Sequence, residues 1–228
     1  MPMNQKQQAA ASALKYVKSG MTIGLGSGST TAYFVDMLGE KLSAGKLSSI
    51  RAVPTSEATG ARARKCGIPI TTLSECPRLD LAVDGADEVD PALNLIKGLG
   101  RALLREKIVA VHAERFIVIV DESKLVPTLG SRGPLPIEVV TFEADAHIQW
   151  LNTLGCRAEQ WHEDDGSPVV TDNGNYLARC WFDDGITDAY ELARTLSLRP
   201  GIVDHGLFLD MATEVVVAGE NDVRAIER

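Results

Sequence analysis

The chain has 228 residues, 45 % of them apolar and 24 % charged, a composition that can bury a sizeable core without disulfide or metal staples. Its formal net charge of −8 argues against the basic stripe of a nucleic-acid-binding surface, and no apolar run approaches the roughly 18–20 residues that span a bilayer. An anionic ligand must therefore be held by a few placed cations and backbone amides, not by the overall field.

The first stretch, MPMNQKQQAAASALKYVKSG, lacks the basic, apolar and small-residue layout of a secretory signal. A cytoplasmic protein is expected, with Cys66, Cys76, Cys156 and Cys180 as reduced thiols, since none sits in a C-x-x-C pair or beside a His at zinc-ligand spacing. Residues 5–18 read as a helix with Ala10, Leu14 and Val17 on one face. Met21–Leu25 is a strand running into GLGSGST, and Thr30–Leu38 a helix. Ile50–Val53 is a strand ended by Pro54, and Ser56–Lys65 a helix with Gly67 as its stop. Leu79–Val83 is a strand entering DGADE, Arg101–Ala113 a helix, and Phe116–Val120 the apolar strand FIVIV. This alternation implies a parallel, Rossmann-like α/β sheet covered on both faces.

The pattern changes at GSRGPLP, where two Gly and two Pro fall within seven positions. Strand Leu135–Val140, helix Glu143–Leu154, strand Arg157–Trp161, a strand around Val169, an Asn173-Gly174 turn, strand Tyr176–Phe182 and helix Ile186–Leu196 follow. That order resembles a ferredoxin-like unit. After Pro200-Gly201, strands Leu207–Leu209 and Glu214–Ala218 are expected to return to the first sheet. The domains expected are therefore 1–130 with 204–228, and an inserted α+β domain over 131–203.

Four segments carry polar chemistry. Gly24–Thr30 joins a strand to a helix, so its glycines allow close backbone approach and the helix start favours an anion. Ser27, Ser29 and Thr30 add hydroxyls beside Gly28. The segment lacks the Lys of a P-loop and fits the dinucleotide fingerprint poorly. Asp84, Asp87 and Glu88 put three carboxylates at a strand's C-terminal end, where open α/β sheets bind ligands. A solvated acidic turn is the plain alternative; a hard-cation site is a further one, but the spacing matches no standard metal motif. Lys97-Gly98-Leu99-Gly100 leads into a helix that carries Glu106 between apolar Leu103, Leu104, Ile108 and Val109. A carboxylate held among such neighbours suits a general base, whereas an exposed one would only pair along the helix. Lys124 after FIVIV, and Lys6 on the first helix, are candidate phosphate cations or ordinary surface lysines. No His, at 112, 147, 162 or 205, lies in a triad or metal spacing, and there is no nucleophile elbow.

Together GLGSGST, VDGADE, IKGLGRALLREK, VDESK, PLPIEVV, VTDNGN and PGIVDHGLF resemble the ribose-5-phosphate isomerase family of type A, in its order and over about residues 20–210. The resemblance implies an α/β domain with an inserted ferredoxin-like domain. It implies interconversion of ribose 5-phosphate and ribulose 5-phosphate in the pentose phosphate pathway, no metal or other cofactor, and a homodimer or tetramer. It assigns the proton-shuttling base to Glu106. Asp84, Asp87 and Lys97 go to the reacting end of the sugar. Ser27, Gly28, Ser29, Thr30, Gly85, Ala86, Gly98, Leu99, Gly100, Lys124 and, less closely, Lys6 go to substrate binding. Two departures stand out. The turn after Lys97, often glycine-rich in the family, reads Gly98-Leu99-Gly100-Arg101, so Leu99 is expected at an ordinary φ and Arg101 adds a cation. The loop position commonly Thr is Ser27. A sugar-phosphate-sensing domain without catalysis is the alternative, though such a regulator needs a DNA-binding module, and only about 20 residues precede the first strand. A related acyl-CoA transferase would need a larger pocket. The acidic stretch Glu163-Asp164-Asp165 reads as a solvated turn.

Overall fold

The computed structural model describes residues 3–220 and 222–228. The chain divides into two compact units. The first runs up to Ala86 and adds Arg105–Lys124 and the segment from Met211 onward; the second comprises Asp87–Leu104 and Leu125–Asp210. The helices are α1 (Gln5–Ala13), α2 (Ser29–Ser43), α3 (Glu57–Lys65), α4 (Leu103–Val111), α5 (Ala144–Leu151) and α6 (Ala189–Ser197). The strands are β1 (Thr22–Leu25), β2 (Arg51–Pro54), β3 (Leu81–Asp84), β4 (Glu88–Val89), β5 (Leu95–Ile96), β6 (Phe116–Asp121), β7 (Leu135–Val139), β8 (Arg157–Gln160), β9 (Tyr176–Trp181), β10 (Ile202–His205), β11 (Leu207–Phe208), β12 (Glu214–Ala218) and β13 (Val223–Glu227). No described helix is long and apolar enough to cross a membrane.

The first unit is built on a six-stranded sheet ordered β13-β12-β6-β3-β1-β2. All pairs are parallel except β12–β13. Strands β1 and β3 are buried throughout, and β6 over all but its last residue, as a sheet with both faces covered requires. Ala9, Ala10 and Ala13 of α1 and Phe34, Val35 and Leu38 of α2 pack with Ile23, Leu25, Ile117 and Ile119. Helix α1 starts on a capping box between Asn4 and Gln7. It stops short of the expected Lys18: a 3-10 turn takes over at Leu14, and β-branched Val17 is already extended. Helix α2 overruns the expected end at Leu38. Gly39 lies inside it because a Cβ there would meet the Cβ of Cys66 at 2.6 Å, so this glycine serves close packing rather than termination. Pro54 ends β2 from within, opposite Leu25, a placement the sheet edge allows. Gly67, at φ +71, closes α3 as expected.

In the second unit β7-α5-β8-β9-α6-β10 forms an antiparallel sheet ordered β10-β7-β9-β8, the ferredoxin-like arrangement. Its core holds Leu135, Ile137 and Val139 with Ala178, Cys180, Leu151 and Leu196. Helix α6 starts at the Asp188 cap rather than at Ile186.

The expected strand around Val169 does not form; single bridges at Pro168 and Val170 stand in its place. The cause is Glu138 on β7, which is fully buried. Its Oε1 accepts from Thr171 Oγ1 at 3.0 Å and from the side-chain amides of Asn173 and Asn175 at 3.1 and 2.8 Å. The turn is thereby folded onto β7 instead of extending a ladder. Leu207–Leu209 also departs from expectation. Residues 207 and 208 form β11 and pair with β5 in a small sheet ordered β11-β5-β4, while Glu214–Ala218 does join the large sheet as β12. Gly206 explains the diversion. Its carbonyl accepts the Lys97 N–H at 2.9 Å, and a Cβ on it would lie 2.2 Å from the Lys97 carbonyl oxygen.

Candidate active site

In the first unit the site grows from the C-terminal ends of β1 and β3. Strand β1 delivers Gly26 against Asp84, the last residue of β3. Asp84 is 3 % exposed, and its Oδ1 accepts from the Gly85 N–H at 2.7 Å, the Ser27 N–H at 3.0 Å and the Thr31 hydroxyl at 3.4 Å. Only glycine fits at position 26, because a Cβ there would stand 2.1 Å from the Asp84 carboxyl carbon. Asp84 thus shapes the phosphate-type loop as well as facing it.

Ser27 points its hydroxyl inward, to Thr55 Oγ1 and Ser56 Oγ, both at 2.8 Å, and to Thr59 Oγ1 at 3.2 Å. Thr59 returns a bond to the Gly26 carbonyl at 3.0 Å. The hydroxyl is therefore committed to holding the loop on the start of α3, and what Ser27 offers a ligand is backbone. Gly28, at φ +110, leads into α2, whose N-terminus has no side-chain cap. Lys6 Nζ donates to the exposed Ser29 hydroxyl there at 2.9 Å, and Thr30 follows half-buried. Unsatisfied helix N–H groups beside an ammonium suit a phosphate. Glu106, in the first turn of α4, is 4 % exposed, which removes the reading of an exposed helical ion pair. It lines one small recess with Gly24, Gly26, Thr55 and Asp84. Lys124 is half-buried at the end of the turn that follows β6.

In the second unit Asp87 and Lys97 share one turn. Asp87 Oδ2 accepts the Leu99 N–H at 2.9 Å, the Asp87 N–H donates to the Ile96 carbonyl at 2.8 Å, and Arg101 N–H closes the turn on the Gly98 carbonyl at 2.9 Å. Gly98 takes φ +113. Leu99 keeps an ordinary φ, as expected, and the left-handed conformation falls on Arg101 at φ +66 instead. Lys97 is 2 % exposed, with its Nζ 5.4 Å from the centre of the Phe208 ring. Gly98 is buried and Gly100 exposed; in the first unit, Gly85 and Ala86 are half-buried.

Glu88, the third carboxylate of DGADE, is drawn away from this chemistry. It is 2 % exposed and accepts three backbone N–H groups of the GSRGPLP loop: Gly130 at 2.6 Å, Arg132 at 2.9 Å and Gly133 at 2.9 Å. An amide at this position cannot accept all three. Glu88→Gln should cost about 1–3 kcal/mol through an orphaned buried donor, read as a lower urea midpoint; an unchanged midpoint would show that the cage contributes nothing. Sequence reasoning missed this cage and the Thr55–Ser56–Thr59 support. A serine opening the helical stretch Ser56–Lys65 is the one signal in the sequence that could have found the latter.

This chain is similar to known proteins over its length. A sequence profile described as ribose 5-phosphate isomerase A (phosphoriboisomerase A) matches residues 51–222. A protein of Bradyrhizobium diazoefficiens named ribose-5-phosphate isomerase A is 48 % identical, with 100 % of this chain and 98 % of that one covered. A D-ribose-5-phosphate isomerase solved in complex with phospho-erythronic acid superposes with a TM-score of 0.95 at 44 % identity, covering 99 % of this chain and 100 % of the other. The ribose 5-phosphate isomerase A of Methanocaldococcus jannaschii gives 0.93 at 39 % identity, with 98 % of each chain covered.

Proposed function

The chain belongs to the ribose-5-phosphate isomerase A family, and from that premise we propose that Glu106 is the base with which it interconverts ribose 5-phosphate and ribulose 5-phosphate. The protein is an aldose–ketose isomerase. The reaction moves one proton between C2 and C1 and another between the two oxygens, through a cis-enediolate. The observation that carries the assignment is a carboxylate, 4 % exposed, lining one recess with Asp84 and the Gly26 loop. That burial keeps bulk water off the carboxylate.

Glu106 takes the C2 proton and returns it to C1. Lys97, matched to the family's cation, places positive charge beside the enediolate oxygens, a role in which a preorganised charge gains most as the oxyanion develops. Asp84 and Asp87 bind sugar hydroxyls and assist ring opening and the oxygen-to-oxygen proton transfer. Gly85, Ala86, Gly98, Leu99 and Gly100 supply backbone contacts. The bare start of α2 with Gly28, Ser29 and Thr30, helped by Lys6, and Lys124 after β6, hold the phosphate. Phospho-erythronic acid in a related structure supports a phosphorylated sugar ligand. The same reading makes residues 131–203 an inserted domain; the four-stranded sheet of β7 to β10 supports it, with β10 running on to His205 and the compact unit also taking in Asp87–Leu104 and Leu125–Asp210. It also makes the protein a cytoplasmic homodimer or tetramer, with four free thiols in keeping with a reducing compartment.

The test is ribulose 5-phosphate formation from ribose 5-phosphate in excess EDTA, beside ribose without phosphate. Conversion should proceed, and kcat/KM for ribose should fall by more than about 10²-fold, because binding energy at the phosphate positions the reacting carbons. A folded protein that converts neither sugar, or both equally well, would overturn the assignment.

A further inference from the structure

We propose that Arg101 is a positioning residue, whose forked pair with Glu163, seated on Trp161, holds the Lys97–Arg101 turn in its working shape. The proposal rests on the assignment of that turn to the substrate.

The turn asks for such a hold. Arg101 sits at φ +66, a conformation that residues other than Gly, Asn and Asp seldom adopt. It does so in a turn that already contains Gly98 at φ +113 and an exposed Gly100. Sterics alone would place a glycine at 101. A side chain that keeps its backbone in this region must be fixed by its surroundings, and such outliers concentrate at functional sites.

The surroundings supply the fixing. Both terminal nitrogens of Arg101 meet both carboxylate oxygens of Glu163, Nη2 to Oε2 at 2.9 Å. The guanidinium carbon lies 5.2 Å from the centre of the Trp161 ring. Trp161 is itself fixed. Arg179 lies 5.1 Å from the same ring and 5.1 Å from Trp181, and Arg157 lies 4.2 Å from Trp181. Arg179 also pairs with Glu159 at 2.7 Å. Guanidinium and indole groups thus alternate from Arg157 to Arg101 along one face of β8 and β9, where Arg157 stands opposite Trp181 and Glu159 opposite Arg179. Glu163 is anchored too. Its N–H donates to the Ser167 carbonyl at 2.8 Å, and its carbonyl accepts from Gly166 at 3.0 Å, so the carboxylate hangs from a closed turn rather than a loose loop.

An exposed ion pair is ordinarily worth little. This one has the forked geometry and the rigid, stacked receiving surface that make an exception. Asp87 holds the turn from one side through the Leu99 N–H at 2.9 Å. Arg101 holds it from the other. Between the two anchored residues, Leu99 and Arg101, stands only the exposed Gly100, with Lys97 two residues before Leu99. The acidic stretch 163–165 is thus more than a solvated turn: its first carboxylate is a support for the site.

The experiment compares wild type with E163Q, R101A, R101K and the E163Q/R101A double variant. One readout is amide hydrogen exchange over residues 97–104; the other is KM and kcat for ribose 5-phosphate at low salt and at high salt. Exchange in E163Q should quicken by about tenfold and KM should rise about fivefold, with kcat falling less, as expected for loss of one forked, charge-assisted pair. The double variant should be no worse than R101A. R101K, which keeps the charge and loses the fork, should recover only part. The pair is 40 % and 41 % exposed, so salt should narrow the gap between wild type and E163Q. Unchanged exchange in E163Q overturns the proposal whatever the activity. Faster exchange with a wild-type KM overturns the positioning role. A wild type that fails to isomerise sinks the isomerase assignment, and the exchange result still decides whether the pair holds the turn.

Discussion

Replacing Glu106 by Gln lowers kcat by at least about 10²–10⁴-fold, the contribution usual for one positioned base, and leaves the fold in place. The carbon acid beside a carbonyl gives up its proton slowly to water, so the step depends on a carboxylate already aimed at it. Gln keeps the shape and volume of Glu in a site where the side chain is 4 % exposed, and packing changes little. It cannot accept a proton. Substrate binding should therefore survive, with KM close to that of the wild type, because phosphate and hydroxyl contacts lie elsewhere. Loss in kcat with preserved KM marks a group whose interaction exists only in the transition state. A second readout separates the base from a merely structural carboxylate. In deuterated water the wild type should wash deuterium into C1 of ribulose 5-phosphate while the variant should not, beyond its residual turnover. An E106Q protein with kcat within threefold of wild type would remove Glu106 from the mechanism.

The sequence displays the large sheet because its strands are continuous apolar runs flanked by helices. FIVIV and the strand entering DGADE could hardly be anything else. The motifs that follow β3 and β5 then point to Asp84, Asp87, Lys97 and Glu106 as candidates. Strands of two residues leave no period to detect: Glu88–Val89, Leu95–Ile96 and Leu207–Phe208 appear only once the chain has folded and Gly206 has passed close to Lys97. Strand β13 stayed hidden for another reason. VRAIE is mostly exposed, as befits the edge of a sheet, and lacks a buried alternation. The site was half legible on the same grounds. Residue types at the right positions show where chemistry can occur. They do not show which way a side chain turns. Ser27 faces Thr55 and Thr59, Glu88 faces a loop more than forty residues ahead, and the left-handed φ falls on Arg101. Each of these is decided by tertiary packing, and no local propensity announces it.

Gly26→Ala carries the second large effect, and it reaches the site without removing any polar group. A Cβ on residue 26 would lie 2.1 Å from Asp84 Cγ and Oδ1 and 2.5 Å from Asp84 Cβ. Asp84 cannot swing aside cheaply. Its Oδ1 holds the Ser27 and Gly85 N–H groups and the Thr31 hydroxyl, so moving the carboxylate breaks the bonds that shape the loop. Moving the loop instead strains the hydroxyl cluster of Ser27, Thr55, Ser56 and Thr59. Overpacking of this kind costs about 1–3 kcal/mol of stability. A displacement near 1 Å at a catalytic carboxylate can cost about 10²-fold in rate. The variant should therefore fold, melt lower than wild type, and lose kcat by about two orders of magnitude. A double-mutant cycle with D84G distinguishes the causes. D84G alone loses three hydrogen bonds. Adding G26A to it should cost little further stability, because the clashing side chain is already gone, while turnover stays lost in both. Should G26A melt and turn over like the wild type, Asp84 would be more mobile than its three hydrogen bonds allow, and its place in the mechanism would have to be given up.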